Sequence, residues 1–228
     1  MDDGFNQRGG WIEVITGGMF SGKSEELIRR IRRAEIGKQR TQLFKPIIDN
    51  RFDVKRIVSR DNRELDATAV VDSADLRSHL AFGVRVVGID EAQFFDDLLI
   101  DVCMEMADAG IRVIAAGLDQ DYLRRPFGPM PALLAVAEYV SKMHAVCVRC
   151  GGPAHYTQRI AGGNSQIEIG DNTYEARCRV CYEPYLASQP PRAQTNVEPA
   201  TQTQASSPDS PEAEAQAAEA AGNLPSVQ

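Results

Sequence analysis

An α/β fold built on a parallel sheet is what this sequence predicts, joined to a small cysteine-anchored C-terminal lobe and ending in a disordered tail. Three patterns carry the prediction. Short apolar, β-branched runs alternate with segments of helical period between residues 10 and 186. Two C-x-x-C pairs, Cys147/Cys150 and Cys178/Cys181, bracket a stretch poor in large aliphatic residues. From Ala187 onward the composition turns to Pro, Ala, Gln, Ser and Glu. Strand–helix–strand repetition implies parallel pairing, with helices covering both faces of the sheet.

Taken in order, Trp11–Thr16 (WIEVIT) is an apolar strand entering a glycine turn. Lys23–Ile36 follows with Leu27, Ile31 and Ala34 at helical spacing, and Arg29, Arg30, Arg32 and Arg33 are expected on a solvated polar face. Thr41–Lys45 (TQLFK) reads as a strand stopped by Pro46. Val84–Ile89 and Ile111–Ala116 are runs with the apolar character of strands covered on both faces. Asp97–Asp108 between them has the phase of a helix, with Cys103 on its packed side.

The 228 residues are 43% hydrophobic and 25% charged, enough for one core plus a smaller module. The expected division is a core at 10–143, a cysteine lobe at 144–186 and the tail at 187–228. No apolar run approaches the roughly 18 residues of a membrane span. The start, MDDGFNQRGGW, lacks the basic and apolar regions of a signal peptide, so a cytoplasmic location is expected. Of the formal net charge of -7, one arginine and five carboxylates in the tail supply -4, leaving about -3 for the rest. That balance argues against general affinity for nucleic acid or an anionic membrane. The tail has too few apolar residues to offset its ordering entropy.

Gly17, Gly18, Met19, Phe20, Ser21, Gly22, Lys23 and Ser24 match G-x-x-x-x-G-K-[ST], with a strand before and a helix after. In such a loop the backbone N–H groups curl round phosphates, and the helix N-terminus adds positive potential. Lys23 is placed to reach the β- and γ-phosphates of ATP, and Ser24 to coordinate Mg²⁺.

Downstream, Val86-Val-Gly-Ile-Asp90-Glu91 sets two carboxylates at the C-terminal end of a hydrophobic strand, where open α/β sheets bind ligands. Asp90 fits a metal-holding role, and Glu91 fits a proton acceptor for an attacking nucleophile. The pair alone does not say what attacks: in an ATPase it is water, in a kinase a substrate hydroxyl.

Two thiol pairs separated by residues 151–177 suit a tetrahedral Zn²⁺ held by Cys147, Cys150, Cys178 and Cys181. Four protein ligands leave no open position, so the ion is expected to be structural, holding together a lobe with little core of its own. His155, between the pairs, is expected to be a loop residue.

Phosphate loop, acidic strand end and cysteine pairs, in this order, resemble the type II thymidine kinase family. The likeness spans roughly residues 11–185 and includes GGMFSGKSEELIRRIRR (17–33), KPIIDNRF (45–52), GIDEAQFF (88–95), GLDQDYLRRPFG (117–128), CVRCGGPAHYTQR (147–159) and NTYEARCRVCY (172–182). The resemblance implies a P-loop (RecA-like) core and transfer of the ATP γ-phosphate to the 5′-hydroxyl of thymidine, with deoxyuridine a second acceptor. The product would be dTMP for nucleotide salvage and DNA synthesis. It implies Glu91 as the base, with Lys23 and Arg51 also catalytic, and Asp90, Ala92 and Gln93 beside the nucleotide. Asp49 and Arg51 match a D-x-R near phosphates and metal. Met19, Phe94, Leu118 and Tyr122 match positions enclosing thymine, and Thr157 and Tyr174 the inner wall of a nucleoside-covering lasso. The segment Ile167-Glu168-Ile169-Gly170 would supply backbone hydrogen bonds to the base. A homotetramer or dimer and feedback inhibition by dTTP are likewise implied.

A lid tethered at both ends by such a lobe would exclude water and limit ATP hydrolysis. A nucleic-acid-stimulated ATPase with a zinc ribbon would show the same acidic strand end but usually a basic face. A GTP-binding switch is opposed by the lack of any Asn-Lys-x-Asp motif. A regulatory binder without catalysis is opposed by the intact Lys23, Ser24, Asp90 and Glu91.

Overall fold

The computed structural model describes residues 9–47, 56–58, 64–161 and 173–184. Its centre is a six-stranded sheet in which every neighbouring pair runs parallel. The strands are β1 (Trp11–Thr16), β2 (Thr41–Pro46), β5 (Thr68–Val70), β6 (Val86–Ile89), β7 (Arg112–Gly117) and β8 (Tyr139–Lys142), in the spatial order β5-β2-β6-β7-β1-β8. Between β2 and β5 the chain forms the antiparallel pair β3 (Arg56–Val58) and β4 (Glu64–Asp66).

The side-chain period of two splits each central strand between two cores. Val113 and Ala115 of β7 enter one core, Ile114 and Ala116 the other. On one face lies α1 (Lys23–Ile36), which buries Leu27, Ile28, Ile31 and Ala34 against Ile15, Val86 and Ile114. Gly88 of β6 permits this contact, since a Cβ there would stand 3.1 Å from Ile31 Cδ1 and 3.3 Å from Leu27 Cδ1. On the other face lie α2 (Ser73–Ser78), α3 (Leu98–Asp108) and α4 (Met130–Val136), whose Leu76, Leu99, Val102, Met106 and Leu133 pack with Ile12, Val14 and Val87. Each fully buried aliphatic side chain of this kind contributes about 1.5–3 kcal/mol of transfer free energy.

The predicted strands and helices are present with small shifts at their ends. β2 extends through Pro46, β6 begins at Val86, α3 begins at Leu98 after Asp97, and β7 spans Arg112–Gly117. Cys103 packs in the α3 core, where burial pushes its thiol up to about 12. The arginine face of α1 differs from expectation at one position. Arg30 is mostly buried, donating to Glu13 Oε2 at 2.6 Å, Glu26 Oε1 at 2.8 Å and Ser141 Oγ at 2.8 Å. Arg112 and Trp11 donate to the other Glu13 oxygen, so a charged network ties α1 to β1, β7 and β8.

After β8 come four short strands: β9 (Ala145–Val146) with β10 (Pro153–Ala154), and β11 (Tyr156–Arg159) with β12 (Tyr174–Arg177), both pairs antiparallel. Their apolar centre is small: Ala145, Cys147, Ala154 and Ala176, with Phe20 of the core packed against it. Among the described residues no helix is long and apolar enough to cross a membrane.

Candidate active site

The phosphate loop runs from the end of β1 into α1. Gly17 has φ 143°, and a Cβ on it would stand 2.3 Å from Met143 O, so only glycine fits the turn. Ser21 Oγ donates to Gly18 O at 2.8 Å and Lys23 Nζ donates to the same carbonyl at 2.8 Å. The loop is therefore a closed cup with the ammonium at its lip. Burial pushes the Lys23 pKa down, against the negative charges of Glu91, Asp90 and Asp119, which favour its charged form.

Across from the cup, Asp90 follows β6 and its N–H continues the ladder to Phe44 O at 2.9 Å. Ser24 Oγ donates to Asp90 Oδ1 at 3.2 Å. A hydroxyl and a carboxylate converging beside a phosphate cup are the oxygen donors a Mg²⁺ ion takes, so these residues fit that ion. Burial and the neighbouring Glu91 charge push Asp90 up to about 7, against the Ser24 hydrogen bond and Lys23. Glu91 turns the chain with φ 51°, in the left-handed region. Its Oε2 accepts from Gln93 Nε2 at 2.5 Å, while Gln93 Oε1 accepts from Leu118 N at 2.9 Å. Gln93 is only 2% exposed, so its amide joins the Glu91 carboxylate to the end of β7. Ala92 is buried beneath the same turn.

The sulfur atoms of Cys147, Cys150, Cys178 and Cys181 lie within 4.8 Å of one another, Cys150 and Cys178 at 3.6 Å. Thiolates on one tetrahedral zinc stand about 3.8 Å apart, given Zn–S bonds of about 2.3 Å, so the quartet fits that ion. The turns around it are those of metal knuckles: Cys181 N donates to Cys178 Sγ at 3.4 Å, and Gly151, at φ 72°, closes the first loop. Burial works to raise the Cys147 thiol, but backbone donors at Cys178, Cys150 and Arg149 outweigh it and bring it to about 6. His155 stands between β10 and β11 with its ring against His144 and, among the described residues, joins no cluster of metal-binding side chains.

The lobe touches the phosphate loop directly. Met19 N donates to Thr157 Oγ1 of β11 at 3.0 Å, and a Cβ on Gly18 would meet His155 O at 3.4 Å. A cavity of about 320 Å³ opens along this seam, lined by Gln120 and Lys142 from the sheet side and by His155, Tyr156, Cys178 and Arg179 from the lobe. Of the expected nucleoside wall, Tyr122 and Tyr174 are buried, and Phe94 stands edge-on to Phe127 at 5.5 Å. Met19 and Leu118 are half-buried at the strand ends. Asp49, Arg51, Ile167, Ile169, Gly170 and the tail at 187–228 lie outside the described residues.

Two side chains in this region escaped the sequence reading. Asp119, buried at the end of β7, pairs with Lys142 Nζ at 2.6 Å and acts electrostatically on Lys23. Arg159, 1% exposed, lies over the Tyr122 ring. Neither has a spacing signature, although Asp119 falls within GLDQDY and Arg159 within AHYTQR.

Comparison with known proteins gives a consistent picture. A family model described as thymidine kinase matches residues 10–182. A thymidine kinase of Rhodothermus sp. is 54% identical over 176 residues, covering 77% of this chain and 82% of that protein. The thymidine kinase of Bdellovibrio bacteriovorus is 52% identical over 176 residues, covering 77% and 86%. That of Porphyromonas gingivalis is 50% identical over 188 residues, covering 82% and 91%.

Proposed function

The chain belongs to the thymidine kinase family, and on that premise we propose how its residues divide the work of the reaction. The activity is ATP-dependent phosphorylation of thymidine, yielding dTMP for nucleotide salvage. The supporting observation is the seam: the phosphate loop and the cysteine lobe share the Met19–Thr157 hydrogen bond, so the donor cup and the acceptor's cover meet at one point.

In this reading the N–H groups of Gly17 to Ser24 cradle the ATP phosphates, and Lys23 leaves Gly18 O to neutralise charge on the transferring group. Ser24 and Asp90 hold Mg²⁺, which when bound neutralises phosphate charge. Glu91 accepts the 5′-hydroxyl proton as that oxygen bonds to the γ-phosphorus and ADP departs. Gln93 fixes the orientation of the Glu91 carboxylate through its bond to Leu118 N. Asp49 and Arg51 complete the phosphate contacts. Met19, Phe94, Leu118 and Tyr122 enclose the thymine, Thr157 and Tyr174 wall the nucleoside, and the backbone at Ile167, Ile169 and Gly170 reads the base. Cys147, Cys150, Cys178 and Cys181 hold Zn²⁺, whose role is to fold the lobe.

dTTP joins the thymine ring and the triphosphate in one molecule, so it suits both halves of the site as a feedback inhibitor. The edge strand β8 leaves Tyr139 and Val140 exposed, which favours a homotetramer or dimer. Cysteines gathered as metal ligands rather than as disulfides suit the reducing cytoplasm.

Product analysis tests the reading. With ATP and Mg²⁺, thymidine is expected to give dTMP with little background ATP loss, and Glu91→Gln is expected to lower kcat about 10²–10⁴-fold while both substrates still bind. ATP loss in every tube without a nucleotide product would mean that Glu91 activates water, and DNA stimulation would then be the next assay.

A further inference from the structure

Arg159 is the largest fully buried side chain among the described residues, and it sits where the lobe meets the β7–α4 loop. Its guanidinium carbon lies 3.7 Å from the centroid of the Tyr122 ring and 5.3 Å from that of Tyr174. Its Nη2 donates to the Tyr174 hydroxyl at 2.7 Å. Arg159 and Tyr174 face each other across the β11–β12 ladder, whereas Tyr122 belongs to the other side of the seam. One cation thus touches both tyrosines.

We infer that Arg159 is a positioning residue for nucleoside binding, setting the Tyr122 and Tyr174 rings at one spacing; this rests on the reading that both tyrosines wall the thymidine pocket. Burying a cation is costly unless its contacts compensate. Here a guanidinium lies over one aromatic face while donating to the second ring's hydroxyl. Lysine can supply the charge but not that geometry, and methionine supplies only the bulk. The Tyr122 main chain is held independently, because its carbonyl accepts from Tyr182 OH at 2.7 Å and Arg124 lies 4.5 Å over the Tyr182 ring. The Arg159 cation contact is with the Tyr122 ring.

The test is steady-state kinetics with thymidine and ATP varied separately, beside zinc analysis, for Arg159→Met, Arg159→Lys and the milder Tyr174→Phe. The thymidine KM is expected to rise about tenfold in Arg159→Met, the size of one desolvated cation–aromatic or charge-assisted contact, with the ATP KM within about twofold and zinc retained. Arg159→Lys is expected to recover less than half of that loss. Tyr174→Phe is expected to raise the thymidine KM a few-fold, and the Arg159→Met/Tyr174→Phe double variant to be no worse than Arg159→Met alone, because the two share one contact. If both KM values rise together, or the double variant shows the product of the single effects, Arg159 is only structural and the inference fails. Should Arg159→Met not fold, Tyr174→Phe decides: an unchanged thymidine KM overturns the inference. Wild-type protein that forms no dTMP would overturn the kinase reading and this inference with it. Wild-type dTMP formation with insensitive variants would overturn this inference alone.

Discussion

The sheet core and the cysteine lobe are stabilised in opposite ways, although hydrogen bonds from Met19 N to Thr157 Oγ1 and from Tyr182 OH to Tyr122 O join them. The core holds α1 with Leu27, Ile28 and Ile31 and the far face with Leu76, Leu99 and Leu133, all essentially inaccessible to water. The lobe's apolar centre is three alanines and a cysteine. In place of aliphatic burial it has four converging thiols and a set of packed rings and guanidinium groups: Tyr156 tilted against Tyr182 at 5.4 Å, Arg124 over both, and Arg159 over Tyr122. The core's stabilising interactions are many and individually replaceable, whereas the lobe's are few and mutually dependent. The proposed chemistry follows the same division, with phosphates bound by the core and the nucleoside covered by the lobe.

Removing the metal is expected to separate the two regions most sharply. Structural zinc sites contribute about 10–16 kcal/mol in small peptides, far more than four small buried residues supply. Chelation, or Cys147→Ser, is therefore expected to unfold the lobe and raise the thymidine KM more than about tenfold, while the binding of an ATP analogue falls less than about threefold. Equal loss of both, or metal analysis finding no zinc in the native protein, would show that the two regions are not separately stabilised.

What could be read beforehand follows the same line. β1, α1 and β7 were legible because burial leaves a periodic apolar pattern, and the phosphate loop, Asp90–Glu91 and the cysteines because their chemistry depends on local spacing. β8 was not, since Tyr139 is 56% exposed, Val140 is also exposed, and the strand owes its place to pairing with β1. Nor was α2, one short helix capped when the Asp72 side chain accepts from Asp75 N at 2.8 Å. Arg30 and Arg159 look like surface residues in the sequence. Their burial depends on Glu13 and on Tyr122, partners 17 and 37 positions away that only the tertiary fold brings close.

A smaller effect probes the core from the other side. Leu27→Ala removes a fully buried side chain that packs against Gly88 and is expected to cost about 2–5 kcal/mol, read as a lower Tm and denaturation midpoint. Zinc content and thymidine KM at 25 °C are expected to stay at wild-type values. Loss of zinc in this variant would mean that the lobe depends on core packing and not on its metal alone.

The smallest expected effect is electrostatic and lies on the helix that carries the phosphate loop. Glu26 sits in the first turn of α1, where a carboxylate favours the helix dipole. Hydrogen bonds from Arg29 lead the causes that hold its pKa down at about 2; burial opposes them, and the hydrogen bond and charge of Arg30 add to the lowering. An unfolded glutamate titrates near about 4.3. A carboxylate whose folded pKa is depressed stabilises the protein above the unfolded value and loses that contribution as pH falls through the folded one. Because Arg29 is half exposed, with 52% of its side chain accessible, solvent screening limits the gain to about 0.5–1 kcal/mol. Wild type is therefore expected to be more stable than Glu26→Gln by that amount at pH 5.5, with the gap closing between about pH 4.3 and 2. Acid also protonates the thiols and releases zinc, but equally in both proteins, so the difference between their pH-dependent stabilities isolates α1. A gap that does not change with pH would assign the effect of Glu26 to helix propensity or packing, and the charge network on this helix would then contribute nothing measurable to the core.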